Sequence, residues 1–453
     1  MNAFVSLRNR NYRLFLSGQA VSNTGTWMQR TAQDWLILSL SHNSGLALGI
    51  VTGLQFLPVL LLVLYGGVIA DRYDKRTILV VTQTSMGGLA VILAVLDLVG
   101  VAQLWHVYVL AACLGVATAF DNPVRQAFVH EMVGEHEVSN AVSLNSATFN
   151  LARVVGPAIA GLLISGIGTG WAFALNAASF GAVIIGLRMM RADELVKAPL
   201  TPRAKGQLRE GLSYVRERDE LLLPLILLGV VGTVGMNFPV TIALMAKITF
   251  HQGAGSYGLL SSALAVGSVI GALAAAQRSG RGIKPRRRTY LLGGFLFGIC
   301  ETAAGLMPSY LTFALLLIPT GLTFLIFSTA VNSTLQMGSD PQFRGRVMGV
   351  FMLVFLGGTP IGAPLIGILA EHYGPRSSIV VGGVTSALAA VGGAIYVIVR
   401  SKTRDDVVDA VGERPHISRI DRREHADTQL VPAQLPVRLR IHNPVGAKYL
   451  SHR

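Results

Sequence analysis

Long stretches of apolar residues, each bounded by charged residues or turn signals, fill this chain from about Tyr12 to Val399. An α-helix needs about 20 apolar residues to cross the roughly 30 Å hydrocarbon core of a bilayer. Backbone groups that face lipid must be hydrogen-bonded within their own segment, so we expect each stretch to be a helix. The pattern predicts an all-α polytopic membrane protein with twelve transmembrane helices, at residues 14–38, 46–70, 78–99, 104–124, 142–166, 170–190, 222–248, 256–277, 289–307, 309–334, 346–370 and 377–399.

The composition agrees with a chain whose surroundings are mostly lipid. Hydrophobic residues make up 51% of the 453 residues, charged residues only 14%, and the mean hydropathy is +0.53. Soluble domains carry about 25% charged residues. No cleavage pattern precedes the first span, so we expect that span to stay in the protein. Cys113 and Cys300 lie inside apolar spans and are interpreted as free thiols that pack like small hydrophobic side chains.

Lysine and arginine are distributed very unevenly among the loops. With both termini on one side, 34 of the 38 Lys and Arg residues fall on that side and only Lys247 and Arg376 on the other; Arg30 and Arg153 lie inside spans. Because loops rich in Lys and Arg stay in the cytoplasm, both termini are predicted to be cytoplasmic, in an inner or plasma membrane. The net charge of +14 is then explained by topology and by contact with anionic lipid rather than by nucleic acid.

A polar, basic loop at residues 191–221 divides the spans six and six. We therefore expect an N-terminal half at 1–190, a C-terminal half at 222–400 and a charged cytoplasmic tail at 401–453. The tail has little apolar periodicity, which predicts disorder. It is interpreted as an inert extension, with a regulatory or partner-binding role as the alternative.

The two halves also resemble each other in sequence. Gly156-Pro-Ala-Ile-Ala-Gly161 in span five matches Gly362-Ala-Pro-Leu-Ile-Gly367 in span eleven at an offset of 206 residues. Repeated halves are typical of transporters that rock about a site near the middle of the membrane. Chance similarity between apolar helices rich in Gly and Pro is the alternative.

The strongest local motif, at the cytoplasmic end of span two, is Gly67-Val-Ile-Ala-Asp71-Arg72-Tyr-Asp74-Lys75-Arg76. It resembles the Gly-x-x-x-Asp-Arg-x-Gly-Arg-Arg-like motif of the major facilitator superfamily, with Lys75 a conservative change and Asp74 in place of a glycine. The resemblance implies that Asp71 meets the N-terminal end of span eleven when the cytoplasmic side is closed. An exposed anion at a helix N-terminus is stabilised by about 0.3–1 kcal/mol. A purely topogenic role is the alternative for Lys75 and Arg76.

Span one is unusually polar for a transmembrane helix. Gln19, Asn23, Thr26, Arg30 and Asp34 recur every three or four residues and therefore share one helix face. Charges inside a membrane are costly, face the interior of the bundle and mark functional sites. Asp34 is the first candidate for a carboxylate that exchanges a proton, and Arg30, four residues earlier, can pair with it. A permanent structural ion pair is the alternative.

Span five repeats the pattern, with polar residues on one face at Ser139, Ser143, Ser146, Asn150 and Arg153. The segment from Gly156-Pro157 to Gly161 follows and resembles a Gly-x-x-x-Gly-Pro-x-x-Gly-Gly-like motif of the drug/proton antiporter branch, which is associated with export. Ala152 and Ala160 replace two of its glycines. Small residues permit close helix packing and Pro157 bends the helix. Packing alone explains Gly156 and Gly161 equally well, but it does not explain a buried Arg153.

Residues in three spans narrow this resemblance. Span four is predicted to close at the inner face with Asp121-Asn-Pro-Val-Arg125-Gln126, where Asp121 and Arg125 are again four residues apart. With Trp27 and Gln29 of span one and residues 145–150 of span five, the chain resembles the enterobactin-exporter-like and macrolide-efflux-like antiporters over nearly all of residues 5–400. Ala111 stands where many members of the wider superfamily carry an arginine. Coupling by such an arginine is therefore excluded, which gives more weight to Arg30 and Arg153.

Glu301, in span nine, is the only acidic residue well inside the second half. We expect it to be a second proton site or a contact for a cation. A side chain that reaches outward to the interface, or an acid that stays protonated, is the alternative.

Several enzyme signatures are missing from the chain. It contains no Gly-x-x-x-x-Gly-Lys-Ser/Thr phosphate loop, no His/Cys cluster with metal-ligand spacing and no nucleophile elbow. We therefore expect no enzymatic activity, no cofactor and no metal.

The resulting hypothesis is a monomeric secondary exporter that exchanges protons for a small amphipathic molecule as its two halves rock. Siderophore-like metabolites and drugs such as macrolides both fit the resemblance. An importer or facilitator is one alternative, against which the motif of span five argues. A membrane sensor or scaffold that acts through its tail and does not transport is another.

Overall fold

A computed structural model describes residues 4–195, 207–281 and 287–410, apart from the side chains of residues 64, 71, 135, 136, 207, 208, 279 and 401–410. Within these ranges the chain is helical between short turns and contains no strand. A short helix, Gln207–Arg216, lies in the connection between the two halves. The twelve long helices are α1 Arg10–Leu40, α2 Gly45–Arg72, α3 Lys75–Leu98, α4 Leu104–Gly134, α5 Glu137–Ile167, α6 Thr169–Arg188, α7 Asp219–Thr249, α8 Ala254–Gly280, α9 Arg287–Leu306, α10 Tyr310–Gly338, α11 Arg344–Tyr373 and α12 Pro375–Ala410.

Eleven of these helices, α2 to α12, are long and apolar enough to cross a bilayer, counted over the described residues. Helix α1 is 31 residues long but too polar to be among them. Its polar side chains are tolerated because the other helices surround them: Gln19, Asn23 and Asp34 are all buried in the protein. All twelve predicted spans are therefore present as helices.

Short connections make successive helices antiparallel, which gives the bundle two ends. The basic end is where α1 begins and α2 ends; the opposite end is where α1 ends and α2 begins. At the opposite end, Gly168 joins α5 to α6 with φ 92° and ψ 171°, and Gly374 joins α11 to α12 with φ 85° and ψ 157°. Side chains rarely permit this backbone conformation. The two glycines are 206 residues apart, so the repeat seen in the sequence extends to the backbone geometry.

Glycines bring helices of the two halves close together at two equivalent places. Gly161 on α5 packs against the first turn of α8, where a Cβ on this glycine would lie 3.0 Å from the carbonyl oxygen of Ala254. At the equivalent position of α11, Gly367 packs against the first turn of α2, and a Cβ on Gly45 would lie 2.6 Å from the carbonyl oxygen of Gly367. The two six-helix halves therefore meet through pseudo-symmetric helix pairs, α5 with α8 and α11 with α2.

The predicted end of span four is wrong. The sequence places that end at residue 124 and Arg125 in a loop, but the helix continues to Gly134, whose φ of 67° and ψ of 173° form the joint with α5. Pro123 does not end the helix, because neighbouring helices and side chains can satisfy the backbone groups that a proline frees in a membrane bundle. Asp121 and Arg125 therefore lie inside α4, and Asp121 is completely buried.

Helix α7 is irregular beside the middle of the bundle. π-Helical turns at Val231–Gly235 and Met245–Thr249 flank the α-helical segment Phe238–Leu244, and residues 236 and 237 are not helical. The side-chain amide of Asn237 donates a 2.7 Å hydrogen bond to the carbonyl of Thr233 and so replaces a backbone partner. Such interruptions occur in membrane helices where the backbone lines a cavity, and they provide a place to bend.

Hydrogen bonds close the opposite end between the two halves. The carboxylate of Glu371, near the end of α11, accepts from the hydroxyl of Ser44 at 2.7 Å and from the backbone N–H of Leu46 at 3.0 Å. Lys247 on α7 donates to the hydroxyl of Ser39 on α1 at 3.1 Å. These contacts hold the first and second halves together on that side of the membrane.

At the basic end, the described ion pairs join elements of the same half or the connecting helix. Arg218, just before α7, pairs with Asp340 of the second half at 3.1 Å. Arg346, in the first turn of α11, pairs with Glu210 of the connecting helix at 2.8 Å. The described hydrogen bonds between the halves thus lie from the middle of the bundle to the opposite end, which is the closed one.

The described residues up to Val397 form one compact unit, and the described residues from Ile398 onward belong to a second. In the second unit, helix α12 continues to Ala410. The remaining tail, 411–453, and residues 196–206 of the connecting loop lie outside the described residues. Disorder of the tail and the limits 1–190, 191–221 and 222–400 stay predictions.

Candidate substrate cavity

A cavity of about 190 Å³ lies between the two halves, lined by α1, α2 and α5 on one side and by α7, α8, α10 and α11 on the other. Three charged residues predicted from the sequence, Arg30, Asp34 and Arg153, face it together. Most of the remaining lining is apolar and includes Phe56, Met236, Phe238, Ile242, Leu264, Phe324, Phe355 and Leu356. This central cavity can therefore hold an apolar body next to a small group of charges.

Asp34 is only 8% exposed and joins the two halves across the central cavity. Its Oδ2 accepts a 2.7 Å hydrogen bond from the hydroxyl of Tyr257 on α8. The predicted ion pair with Arg30 is not formed, since the described residues show no contact within 4 Å between the two charges. The reason is that each side chain has another partner: Asp34 turns to Tyr257, and the Arg30 guanidinium stacks on Trp27.

Two guanidinium groups lie against the same indole ring. The Cζ atom of Arg30 is 5.0 Å from the ring centroid of Trp27 and 5.9 Å from that of Phe56, and the Cζ atom of Arg153 is 5.6 Å from that of Trp27. Cation–π contacts contribute about 0.5–2 kcal/mol. Within the described structure, neither guanidinium forms a hydrogen bond or an ion pair with a protein group. Both cations are thus available to a ligand.

A second cavity, of about 240 Å³, lies within the first half and is named here the N-half cavity. It shares Trp27, Arg30 and Phe56 with the central cavity, so these three side chains form a common wall. Asn23 and Gln29, predicted on the polar side of span one, line this second cavity.

The amides and charges around the N-half cavity form a hydrogen-bonded network. Arg125 pairs with Asp121 one turn earlier and donates to Oε1 of Gln19 at 3.0 Å. Asp121 also accepts from Oγ1 of Thr82 and from Nε2 of Gln83 on α3, each at 2.8 Å. The predicted pair of Asp121 and Arg125 therefore forms, but in the interior of the first half and not at the cytoplasmic surface.

The candidate residues of span five differ in whether they reach a cavity. Arg153 and Pro157 line the central cavity, whereas Asn150 is in the described lining of neither cavity. The side-chain amide of Asn150 donates to the carbonyl of Ser146 at 2.8 Å, a local contact within its own helix. Gly156 packs α5 on α1, where a Cβ on this glycine would lie 2.6 Å from the Cβ atom of a side chain of α1.

The basic residues after α2 fasten the helices of the first half to one another. Lys75 pairs with Glu131 on α4 at 2.6 Å, and the two side chains are only 12% and 9% exposed. Arg76 donates to the carbonyls of Leu187 at 2.7 Å and of Arg188 at 2.9 Å, at the end of α6. A cation at a helix C-terminus is stabilised by the helix dipole. Lys75 and Arg76 therefore have structural roles in addition to any topogenic one.

The other residues of the motif sit at the turn between α2 and α3. Gly67 is buried in α2 and Arg72 is exposed. Asp74 caps α3 by accepting from the backbone N–H of Thr77 at 2.7 Å. The side chain of Asp71 lies outside the described residues, so its contact with the start of α11 stays a prediction.

Glu301 lies behind the central cavity rather than in its described lining. It is 2% exposed, and its Oε2 atom has no hydrogen-bond partner within the described structure. Its carboxylate packs on two glycines: a Cβ on Gly235, at the π-helical turn of α7, would lie 3.1 Å from Oε2, and one on Gly382 would lie 3.2 Å from Oε1. Glu301 therefore faces the irregular part of α7 from α9.

Sequence reasoning missed Tyr257 and three amides of the N-half cavity, Gln33, Gln83 and Asn176. A single polar residue in an apolar span has no periodic signal, and Tyr257 is 223 residues from its partner Asp34. The only available hint was chemical, because a tyrosine hydroxyl or an amide buried in a membrane protein needs a hydrogen-bond partner.

The sequence model of a family in the major facilitator superfamily, described as "Transmembrane secretion effector", matches residues 1–420. The chain belongs to this family. The twelve-helix fold, the cavity between the halves and the motif after α2 agree with that membership.

Similar proteins of this family are transporters. The staphyloferrin A transporter of Staphylococcus aureus is 25% identical over 370 residues, which cover 80% of this chain and 90% of that protein. The multidrug efflux pump Tap of Mycolicibacterium fortuitum is 28% identical over 374 residues, or 80% of this chain and 89% of the pump. The enterobactin exporter EntS of Citrobacter koseri is 27% identical, with 70% and 75% covered.

Solved structures confirm the fold. A bacterial homologue of the human lysosomal transporter Spinster, inward-facing and unoccupied, superposes with a TM-score of 0.67 at 16% identity, over 84% of this chain and 96% of that one. A POT family transporter in complex with 5-aminolevulinic acid gives a TM-score of 0.72 at 11% identity, over 86% and 96%. The protein is therefore a polytopic membrane transporter of small molecules and not an enzyme.

Proposed function

We propose that this transporter is a monomeric proton-coupled antiporter that exports a small amphipathic molecule, either a siderophore-like metabolite or a drug. Relatives named for siderophore export and for multidrug efflux favour export over import. The basic end would face the cytoplasm, because the loops there hold most of the Lys and Arg residues. In this orientation the described state is closed on the outside.

The observation that carries this proposal is the hydrogen bond from Tyr257 to Asp34 between the two halves. A hydrogen bond to a charged group contributes about 1.5–3 kcal/mol, so it stabilises the ionised carboxylate in the state that is closed on the outside. Opening the outer side would separate α1 from α8 and remove that donor.

The loss of this bond gives the direction of coupling. The Asp34 carboxylate would bind a proton when exposed to the outside without its donor, and release it to the cytoplasm when Tyr257 returns. A proton shifts a two-state equilibrium only by its difference in affinity for the two states, and the bond to Tyr257 supplies such a difference. Substrate would then leave the cytoplasm in the opposite half of the cycle.

Everted membrane vesicles with an imposed proton gradient test this proposal. Siderophores, macrolides and lipophilic cations are added in turn, and collapse of the gradient is followed in the wild type and in Asp34→Asn. Collapse by one class of compound, absent in the variant, is the expected result. Collapse that is equal in both proteins would remove Asp34 from the coupling mechanism.

Two other functions are separated by further measurements. A facilitator would equilibrate substrate without moving protons, and a proton-coupled importer would move substrate and protons in the same direction, so neither would use the gradient to accumulate substrate inside everted vesicles. A sensor or scaffold that acts through its tail would lose its phenotype when residues 401–453 are deleted, whereas an exporter would keep its flux.

A further inference from the structure

Buried polar groups around the N-half cavity have hydrogen-bonding capacity that the described protein does not use. Nε2 of Gln33, Oε1 of Gln83 and Nε of Arg125 have no hydrogen-bond partner within the described structure. Gln33 and Gln83 are each only 2% exposed, and all three residues line this cavity. Because buried polar groups are normally paired, three unpaired atoms on residues that line one cavity favour a site for polar ligand atoms, which these side chains reach by rotating toward the cavity.

Most of this unused capacity belongs to donors. Gln33 and Arg125 offer N–H groups, and the guanidinium of Arg30 on the common wall forms cation–π contacts but no described hydrogen bond. The charge of Arg125 is balanced by Asp121, whereas that of Arg30 has no described ion-pair partner. The cavity is therefore suited to oxygen acceptors and unsuited to an ammonium group.

The two cavities differ in polarity and are adjacent. The central cavity of about 190 Å³ is mostly apolar, whereas the N-half cavity of about 240 Å³ has amides and two arginines among apolar side chains such as Met86, Leu114 and Phe180. Trp27, Arg30 and Phe56 line both cavities and form their common wall. Ligand pockets have volumes of roughly 300–1,000 Å³, so neither cavity alone reaches this range but the two together do.

We infer that the N-half cavity binds the polar end of the transported molecule, and that this end carries oxygen acceptors, as a carboxylate or an amide carbonyl does. The apolar body of the same molecule lies in the central cavity, and Arg30 contacts both parts from the common wall. This inference rests on the proposed export function and adds the chemical class of the substrate to it.

Binding to the purified full-length protein in lipid nanodiscs tests the inference without any proton gradient. Three probes share one naphthyl-alkyl body and end in a carboxylate, a carboxamide or a primary ammonium, and binding is followed by quenching of tryptophan fluorescence. We expect the carboxylate and the carboxamide to bind at least about 10-fold more tightly than the ammonium probe. Tighter binding of the carboxylate than of the carboxamide assigns an anionic substrate, and equal binding assigns a neutral one.

Two variants, one in the proposed site and one control, separate the loss of a ligand contact from a general disturbance of the protein. Gln33→Met keeps the size of the side chain but removes its donor, and we expect it to weaken the carboxylate and carboxamide probes about 5- to 10-fold and leave the ammonium probe unchanged. Thr84→Val, next to Gln83 on α3, changes an exposed residue outside the described lining of both cavities, whose hydroxyl donates to the carbonyl of Val80 at 2.7 Å. It should leave all three affinities unchanged.

Three results would overturn the inference: an ammonium probe that binds as tightly as the others, a Gln33→Met protein with unchanged affinities, or no binding of the two acceptor probes. The cavity would then hold water only. Other results test the proposed function independently of this inference. A protein with the expected binding pattern but no export in vesicles keeps this inference and loses the antiport proposal. Proton-coupled export that depends neither on the polar end of the substrate nor on Gln33→Met keeps the antiport proposal and overturns this inference.

Discussion

The hydroxyl of Tyr257 on α8 donates a 2.7 Å hydrogen bond to the carboxylate of Asp34 on α1, two residues 223 positions apart and in different halves of the bundle. Both side chains are buried, Tyr257 at 2% and Asp34 at 8% exposure, on the wall of the central cavity. A membrane-embedded carboxylate whose donor comes from the other half changes its surroundings whenever the halves move. This property makes the pair the main target for testing proton coupling.

Asp34→Asn should separate export from the proton gradient without unfolding the protein. Asparagine has nearly the same shape and can still accept a hydrogen bond from Tyr257, but it cannot exchange a proton at neutral pH. We expect substrate-dependent proton movement to fall to background in everted vesicles while the amount of protein in the membrane stays at the wild-type level. Full coupled transport by this variant would contradict the role of Asp34.

Tyr257→Phe should weaken coupling without abolishing it. The variant removes only the hydroxyl, and with it about 1.5–3 kcal/mol of preference of the carboxylate for the state closed on the outside. Release of the proton to the cytoplasm then becomes slower at a given pH on the cytoplasmic side, and we expect transport to recover as the pH on that side is raised by roughly one to two units. Measurement of transport against the pH on the cytoplasmic side decides this, and an unchanged profile would show that the bond is only structural.

Arg153→Ala should reduce transport much more than Arg153→Lys. The guanidinium lies 5.6 Å from the Trp27 ring centroid and makes no described hydrogen bond, so its contribution comes mainly from charge. Lysine keeps the charge and can also contact an aromatic face. We expect a loss of about 10-fold or more for alanine and about 3-fold or less for lysine in the initial rate of export. Equal losses would instead assign the effect to guanidinium geometry.

The sequence was sufficient for the helices and for the charged face of α1, because hydropathy and helical period are local properties. It placed Arg30, Asp34 and Arg153 in the interior of the bundle, and the structure brings these three charges to one cavity. The offset of 206 residues between the halves also appears in the backbone, at Gly168 and Gly374.

Partners across the bundle could not be predicted, because they depend on which helix faces meet. The spacing of four residues favoured a pair of Arg30 with Asp34, but Trp27 and Tyr257 compete for these side chains and the pair does not form. The end of span four was placed too early because Asp121-Asn-Pro in an aqueous protein favours a turn. Inside the bundle, Thr82 and Gln83 satisfy Asp121 and the helix continues.

Asp71→Asn should loosen the cytoplasmic closure that the family motif implies. The carboxylate is expected to contact the N-terminal end of α11 only in the state closed toward the cytoplasm, where helix N–H groups favour an anion. Single cysteines placed along the first turns of α11 should therefore react faster with a membrane-impermeant thiol reagent in the variant. Asp74→Asn, a change at the adjacent cap of α3, serves as the control, and unchanged labelling in Asp71→Asn would exclude the contact.

Glu301→Gln should change the number of protons moved without changing the affinity for substrate. Glu301 is buried against the π-helical turn of α7, with Oε2 unpaired in the described structure and outside the described lining of the central cavity. A charge there is costly, so the residue would ionise only when movement of α7 supplies a donor, which would make it the second proton site.

Glutamine keeps the volume and removes titration, so we expect equal or higher thermal stability of the purified protein and a lower ratio of protons to substrate. This ratio is measured from the substrate gradient at which net flux stops for a known proton gradient. Glu217→Gln, at an exposed position of the connecting segment, is the matched control. A wild-type ratio in a well-folded Glu301→Gln protein would leave Asp34 as the proton site of the proposed cycle and make the buried acid a structural one.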